Sequence, residues 1–258
     1  MEYINKATHS LPGNIIIDEL LDKCWILAQS RYVNADYENG LKADRARKIA
    51  LVNLLLENQA NLCCYCMKVI QADDTTLEHI IPDSTNSQDK FDEYNGTPEL
   101  DDNVIWDKSF DRKTKTIPPA EYPHDIAYYN LVASCDSDEH CNHFRGSTFI
   151  KPLFYDVDVK EKVIYDKQGR GGSDNYTAEL NTLGLSGNED LRIFRKLWGK
   201  LAENFDTVED VGEDDVKSLV YDMIGEASFN RKLENFAGQP SQREVLMKYK
   251  WFFDYYKS

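Results

Sequence analysis

Residues 63–82 read CCYCMKVIQADDTTLEHIIP, and this stretch decides the fold. It begins with a Cys-x-x-Cys pair, Cys63 and Cys66, which is followed by short runs of β-forming residues. A Cys-x-x-Cys pair on a tight turn is the usual half of a tetrahedral thiolate site. The second half must come from elsewhere in the chain.

Residues 129–146 read YNLVASCDSDEHCNHFRG and supply a second pair of cysteines. Its two members are separated by five residues, more than the usual spacing of about two to four. Two alternatives stay open, with His140 in place of Cys141 or Cys64 in place of Cys63. The two pairs together predict a structural Zn²⁺ held by four thiolates: Cys63, Cys66, Cys135 and Cys141.

The residues around the cysteines predict small β elements. Met67–Ile70 and Thr75–Ile81 have the pattern of a hairpin, which Pro82 ends. Residues 83–123 are rich in Asp, Asn, Ser and Pro and predict a long irregular insertion. After Cys141, Gly146 predicts the end of a short helix.

Helices are predicted on both sides of this region. Apolar residues at helical spacing from Ile16 to Ala28 predict one helix, with Asn14 as its N-cap, and a second is predicted over Leu41–Asn61. Residues 149–166 have the pattern of another hairpin.

The C-terminal part of the chain predicts further helices. The last is opened by a capping box of Ser241 and Glu244. The sequence thus predicts an α+β protein in three parts: an N-terminal helical region over 1–61, a central core over 62–147 that contains the insertion 83–123, and a hairpin with C-terminal helices over 148–258.

The central region also contains candidate catalytic residues, Glu78 and His79. A histidine at a strand end can take a proton from water when its second ring nitrogen is held by a hydrogen bond. Carboxylate and carboxamide oxygens are hard ligands that suit Mg²⁺. Adjacent residues of a regular strand point to opposite faces, so Glu78 and His79 reach one ion only if the strand ends or bulges there.

Charge limits the ways in which this chain can bind a polyanion. With 30 Lys+Arg and 45 Asp+Glu the formal net charge is −15, which argues against coating nucleic acid by electrostatics alone. Phosphate contacts would need local cations, although these side chains can equally balance nearby acids. The candidates are the Lys42–Lys48 cluster, Lys108, Arg112, Lys113, Lys115, Arg145 and Lys151.

The sequence also bears on compartment. Apolar runs are only a few residues long, whereas a bilayer span needs roughly 20. The first residues lack the pattern of a signal peptide, which favours a cytoplasmic protein in which disulfides are improbable.

The ordered set of motifs resembles the HNH endonucleases: Cys63-x-x-Cys66, Glu78-His79-x-x-Pro82, Asn130-Leu131, Cys135 and Cys141-Asn142. The resemblance covers roughly residues 62–147. It implies a ββα-metal core with one catalytic divalent cation, Mg²⁺ or Mn²⁺, beside a zinc held by four cysteines.

The resemblance also implies roles for single residues. His79 would be the general base that activates water, and Asn130 would fix the loop that orients it. Glu78 and Asn142 would hold the catalytic cation, with His143 as an alternative ligand. The gap between His79 and Asn130 is longer than a compact HNH core needs.

The whole layout is similar to the HNH component of Septu-type antiphage defence systems. The matching features outside the core are an Asn5-Lys6 opening and a segment Leu183-Gly184-Leu185 followed by a helix with Arg192 and Arg195. This similarity implies a DNA substrate and an ATPase partner that controls the nuclease. The competing hypotheses are a zinc-stabilised module that only binds a partner, and a nuclease that acts on RNA.

Overall fold

The structure is a computed structural model that describes residues 1–233 and 240–258. The described residues combine helices with small two-stranded sheets. The helices are α1 Ser10–Cys24, α2 Arg45–Asn58, α3 Gln88–Asp92, α4 Pro98–Asp101, α5 Cys141–Arg145, α6 Val159–Lys162, α7 Thr177–Thr182, α8 Glu189–Asn204, α9 Glu213–Met223, α10 Glu226–Leu233, α11 Gln242–Met247 and α12 Trp251–Lys257. The strands are β1 Trp25–Ile26, β2 Arg31–Tyr32, β3 Thr75–His79, β4 Val104–Ile105, β5 Tyr122–Pro123, β6 Leu131–Cys135, β7 Ile164–Tyr165 and β8 Gly171–Gly172.

The central sheet joins β3 to β6 in antiparallel register, with Thr75 opposite Cys135 and His79 opposite Leu131. The predicted hairpin between Met67–Ile70 and Thr75–Ile81 is therefore wrong. The turn at Cys63 folds Leu62 back onto Val69 in an isolated bridge, so that the 67–70 segment belongs to the cysteine turn. Helix α5 is the next element after β6, and Gly146 is its C-cap, as predicted.

The insertion between β3 and β6 is mostly irregular, as predicted, but it contains some regular structure. Short helices α3 and α4 lie in its first half, and β4 and β5 form a parallel pair in which Val104 lies opposite Tyr122. The insertion thus returns the chain to β6 with Pro123 and the residues after it close to the end of β3.

The N-terminal helices differ from the prediction at their ends. Helix α1 begins at Ser10, so Asn14 lies within the helix. Helix α2 begins at Arg45 because the Asp44 carboxylate accepts the backbone N–H of Arg47 at 3.3 Å. A separate π-helical turn, Tyr37–Leu41, precedes it.

A buried lysine ties the N-terminal segment to the central sheet. The Lys6 ammonium group donates to the carbonyl of Leu131 and, at 3.3 Å, to that of Tyr128. It also lies 4.2 Å from the centre of the Tyr128 ring. Burial holds the pKa of Lys6 well below its usual value. The amine therefore fastens both ends of the short turn that leads into β6.

The predicted hairpin over residues 149–166 is also wrong. Leu153–Tyr155 is a 3₁₀ turn, α6 follows it, and β7 pairs instead with β8. Gly171 favours this pairing, because the ideal Cβ position there lies 3.1 Å from the Tyr165 ring.

The predicted C-terminal helices are confirmed within the described residues, except that the predicted last helix is divided: the capping box opens α11, and α12 follows as a separate helix. Ser241 Oγ accepts the backbone N–H of Glu244 at 3.2 Å, and the Glu244 carboxylate accepts the N–H of Ser241 at 2.7 Å. The Trp198 indole of α8 donates to the carbonyl of Leu246 at 2.9 Å. Phe194 stacks on Tyr249 with 4.5 Å between ring centres. Aromatic packing thus joins α8 to the end of the chain.

The buried apolar side chains form one connected core that runs from Met1 to Phe253 and includes the cysteines of the central region. Among the described residues, none of the helices combines the length and the apolar character that crossing a membrane requires.

Candidate functional site

Four cysteines lie together beside the central sheet. The sulfurs of Cys63, Cys66, Cys135 and Cys141 all lie within 4.8 Å of one another, and all four residues are buried. Two of the sulfur–sulfur distances are 3.8 Å, Cys63 to Cys141, and 3.7 Å, Cys66 to Cys135. A tetrahedral zinc with bonds of about 2.3 Å has edges of about 3.8 Å. The cluster can therefore hold a metal ion such as zinc.

Local backbone geometry builds each half of the cluster. In the first half, Met67 takes a positive φ of 61° and its N–H donates to the Cys63 carbonyl at 3.3 Å. In the second half, Cys141 takes a φ of 66° and its N–H donates to the Leu183 carbonyl at 2.8 Å. The Leu183-Gly184-Leu185 segment thus supports the cysteine cluster from the C-terminal region.

Close packing of the four buried thiols moves their pKa values in opposite directions. Burial raises the pKa of Cys63 and Cys66, but hydrogen bonds from Cys135 and Cys141 outweigh it, and the pKa of Cys66 falls to about 6. Burial raises the pKa of Cys141 well above the usual value. Four adjacent thiolates in a buried site need a positive charge between them.

The two alternative ligands lie outside the four-sulfur set. His140 Nδ1 lies 3.1 Å from the sulfur of Cys141 and 4.0 Å from that of Cys135, so it is a neighbour of the cluster. Cys64 is buried, and its backbone N–H donates to the Ala133 carbonyl at 3.1 Å. All six cysteines are unpaired thiols.

His79 ends β3, as predicted for a residue at a strand end. Its Nε2 lies 2.9 Å from the backbone carbonyl of Asp125. Because a carbonyl only accepts, Nε2 carries the proton and Nδ1 keeps its lone pair. Burial lowers the pKa of His79 below the usual histidine value, and the residue is 8% exposed. The ring is therefore held as a neutral imidazole in one tautomer.

Asn130 fastens the chain that follows His79. Its Oδ1 accepts the N–H of Ile81 at 2.7 Å, and its Nδ2 donates to the carbonyls of Ile81 at 2.8 Å and of His124 at 2.6 Å. Asn130 is completely buried. The side chain thus joins the end of β3 to the insertion that carries Asp125.

Glu78 faces a different set of neighbours from His79. Its carboxylate accepts hydrogen bonds from the Arg145 guanidinium and, at 2.8 Å, from the Tyr65 hydroxyl. The alternation of the strand sends the two adjacent side chains to opposite faces, and β3 does not bulge there. Glu78 does not fit the predicted role of metal ligand beside His79, because Arg145 already neutralises its charge.

Arg145 makes further hydrogen bonds at the end of β3. Its guanidinium donates to the carbonyls of His79 at 3.2 Å, Ile80 at 2.6 Å and Thr148 at 2.9 Å. The side chain is fully buried. The Arg145 side chain, predicted as a candidate phosphate contact, therefore has a structural role.

Replacing Arg145 with Met is expected to lower the free energy of unfolding by about 3–5 kcal/mol, because it leaves the Glu78 carboxylate buried without a partner. Urea denaturation followed by circular dichroism measures this loss. Arg145→Met combined with Glu78→Leu should recover part of the loss, since both charges are removed.

Arg192→Met is the matched control, because Arg192 forms an exposed pair with Glu189 at 2.6 Å. It should leave the unfolding midpoint essentially unchanged. A midpoint for Arg145→Met equal to that of Arg192→Met would show that the buried pair does not stabilise the chain.

The other two candidate cation ligands lie on α5. Asn142 is partly exposed in the first turn of that helix. His143 is exposed, with Nδ1 2.9 Å from the Asp138 carboxylate and Nε2 3.3 Å from that of Asp136. His143 is thus placed between two acids at the surface.

Most of the candidate phosphate-binding cations have acidic or carbonyl partners. Lys42 pairs with Glu38, Arg47 with Asp44, Lys108 with Asp107 and Lys115 with Asp22, at 2.7–2.9 Å. Arg112 donates to the Ala35 carbonyl at 3.1 Å. In the described part of the chain, the candidates that form no ion pair with a carboxylate are Arg45, Lys48, Arg112, Lys113 and Lys151.

Two residues next to His79 were not predicted from sequence. Asp125 supplies the carbonyl that holds Nε2, and Tyr37 packs edge-on against the imidazole with 4.6 Å between ring centres. Neither belongs to a motif, and both come near His79 only through the fold.

Comparison with known proteins finds no matching family model, no matching curated protein and no matching solved structure.

Proposed function

We propose that this chain is an HNH-type endonuclease that hydrolyses DNA phosphodiester bonds, with His79 as the general base. The observation that carries the proposal is the hydrogen bond from His79 Nε2 to the Asp125 carbonyl at 2.9 Å. It fixes the tautomer in which Nδ1 can accept a proton from water.

The chemistry at His79 follows from this tautomer. Nδ1 takes a proton from a water molecule as the water oxygen bonds to the phosphorus and the opposite P–O bond breaks. The leaving oxygen then takes a proton from solvent. The imidazolium that forms keeps its Nε2 hydrogen bond to Asp125. The lowered pKa of His79 keeps the ring unprotonated, and thus able to act as a base, at neutral pH.

The arrangement around His79 supports the HNH interpretation. Strand β3 with His79, strand β6 and helix α5 follow one another in the order of a ββα-metal core. The structural zinc belongs to the same proposal: the four thiolates would hold it and thereby staple the Cys63–Cys66 turn to the start of α5. The hydrogen bonds that Asn130 makes to Ile81 and His124 support its proposed role, which is to fix the loop that orients His79.

The residues assigned to the catalytic Mg²⁺ or Mn²⁺ do not fit that ion as a pair. Glu78 is engaged by Arg145 and Tyr65, on the other face of β3 from His79. Asn142 alone offers one carboxamide oxygen, fewer donors than such a cation takes from protein. The proposed proton transfer therefore depends on His79 and on the residues that hold its ring in place. Glu78 takes no part in it.

In its cellular role, the chain would be a PtuB-like nuclease subunit of a Septu-type antiphage complex, controlled by a PtuA-like ATPase. The charge of −15 supports a partner that supplies basic surface, because the isolated chain should bind DNA weakly. The pairing of half of the candidate cations with acids favours the same arrangement.

Cleavage of supercoiled plasmid by the purified chain tests the proposal. Reactions contain Mg²⁺, Mn²⁺ or a chelator, with and without a PtuA-like ATPase, and we expect nicked and linear products in the complex. A single-stranded RNA of mixed sequence in a parallel reaction separates the two substrate classes. Absence of cleavage of DNA in every reaction would contradict the proposal.

A second candidate function is a zinc-stabilised module that binds a partner without catalysis. The observation that favours it is the burial of His79, which is 8% exposed. Binding to the ATPase without cleavage of DNA or RNA would support this alternative.

A further inference from the structure

The imidazole of His79 is covered by a residue from the N-terminal region. Tyr37 belongs to the π-helical turn Tyr37–Leu41 and stands at 86° to the imidazole, with 4.6 Å between ring centres. Tyr37 itself is only half-buried. Its ring thus separates the imidazole from solvent on one side.

The turn that carries Tyr37 is fixed to the same residue that holds His79. The Tyr37 N–H donates to the Asp125 carboxylate at 3.0 Å, while the Asp125 carbonyl accepts the Nε2 proton of His79. Asp36 closes the turn, since its carboxylate accepts the N–H of Asn39 at 2.7 Å. Asp125 thereby couples the position of the turn to that of the imidazole.

Little of the His79 side chain is open to a phosphodiester in this arrangement. The water that it activates must lie within about 3 Å of Nδ1, and the residue is only 8% exposed, with the Tyr37 ring against it. The bonds that Tyr37 and His79 make to Asp125 do not involve the phenol ring. The ring can therefore move aside without releasing the imidazole.

We propose that Tyr37 is an access-controlling residue: its ring covers His79 in the resting chain and must move aside before a phosphodiester reaches Nδ1. The inference rests on the proposed function of His79 as a general base. Tyr37 lies in the N-terminal region, outside the HNH motif, so the inference gives this region a direct role at the site.

Modification of histidines by diethyl pyrocarbonate, located by mass spectrometry, tests the cover without relying on nuclease activity. The reagent attacks an unprotonated ring nitrogen. We expect His79 to react slowly in the wild-type chain and several-fold faster in Tyr37→Ala, which keeps the N–H that binds Asp125. Tyr37→Phe keeps the ring and should react like the wild type.

Two other histidines serve as internal references in the same spectra. His143 is exposed and should react at the same rate in every variant, whereas His124 is fully buried and should stay unmodified. Rapid modification of His124 in Tyr37→Ala would reveal unfolding, and Tyr37→Leu, which retains more of the apolar contact, then takes its place.

The outcomes separate the cover from the proposed nuclease. Faster modification of His79 in the Ala or Leu variant, together with a lower KM for plasmid, supports the inference. Unchanged modification of His79 in both variants overturns it. Faster modification with no cleavage by any variant, or by the wild type with its ATPase, supports the cover and overturns the proposed function.

Discussion

Replacing His79 with Ala is expected to lower the rate of plasmid cleavage by a factor of about 10²–10⁴, the usual contribution of a positioned general base. The loss should appear in kcat, because the imidazole acts on the attacking water in the transition state. Initial rates of nicking, measured with the complex at saturating plasmid, give this value.

The variant should remain folded and retain its zinc content, because the backbone around residue 79 is held by Asn130 and Arg145. His9→Ala is the matched control, since His9 lies by Asn58, 3.2 Å from its side-chain amide, and outside the site. Cleavage by His79→Ala at the rate of His9→Ala would exclude His79 as the base.

Replacing Cys66 with Ser is expected to abolish the proposed binding of zinc and to prevent stable folding. Structural zinc sites contribute an apparent free energy of about 10–16 kcal/mol at neutral pH, which is comparable to the whole stability of a typical domain, about 5–15 kcal/mol. Metal analysis of the purified chain and thermal melts with and without a chelator measure the effect.

Cys24→Ser is the matched control for the cysteine cluster. Cys24 is buried like the cluster cysteines, but its thiol donates to the Asn34 carbonyl at 3.3 Å, a bond that a serine hydroxyl can also make. The control should keep one zinc per chain and its melting temperature. A Cys66→Ser chain that retains both would show that the four sulfurs do not hold a structural ion.

The cysteine cluster could be predicted from sequence because each of its halves is local. The Cys63 and Cys66 pair is recognisable from its spacing. Cys135 ends strand β6, and Cys141 begins helix α5 shortly after it. The assignment of four thiolates agrees with the sulfur positions. Local reasoning also showed that Glu78 and His79, as adjacent residues of a strand, point to opposite faces and do not reach one ion.

The strand pairing could not be predicted in the same way. Thr75–His79 shows a strand pattern, but its partner lies beyond the insertion, and a local turn at 71–74 was the simpler pairing. Tyr37 and Asp125 lie in segments with no motif, so their contacts with His79 depend on the complete fold. The burial of Arg145 against Glu78 likewise required the placement of α5 on β3.

The antiparallel pair of β3 and β6 has a consequence for the evolution of the chain. An ion that joins Cys66 to Cys135 would close a loop of roughly 70 residues, and each doubling of such a loop adds only about 0.6 kcal/mol of closure entropy. The insertion can therefore lengthen at little cost in closure entropy, provided that its buried residues, among them Leu100, Val104 and Phe110, are kept. Variation among relatives should concentrate in the exposed positions between residues 84 and 121.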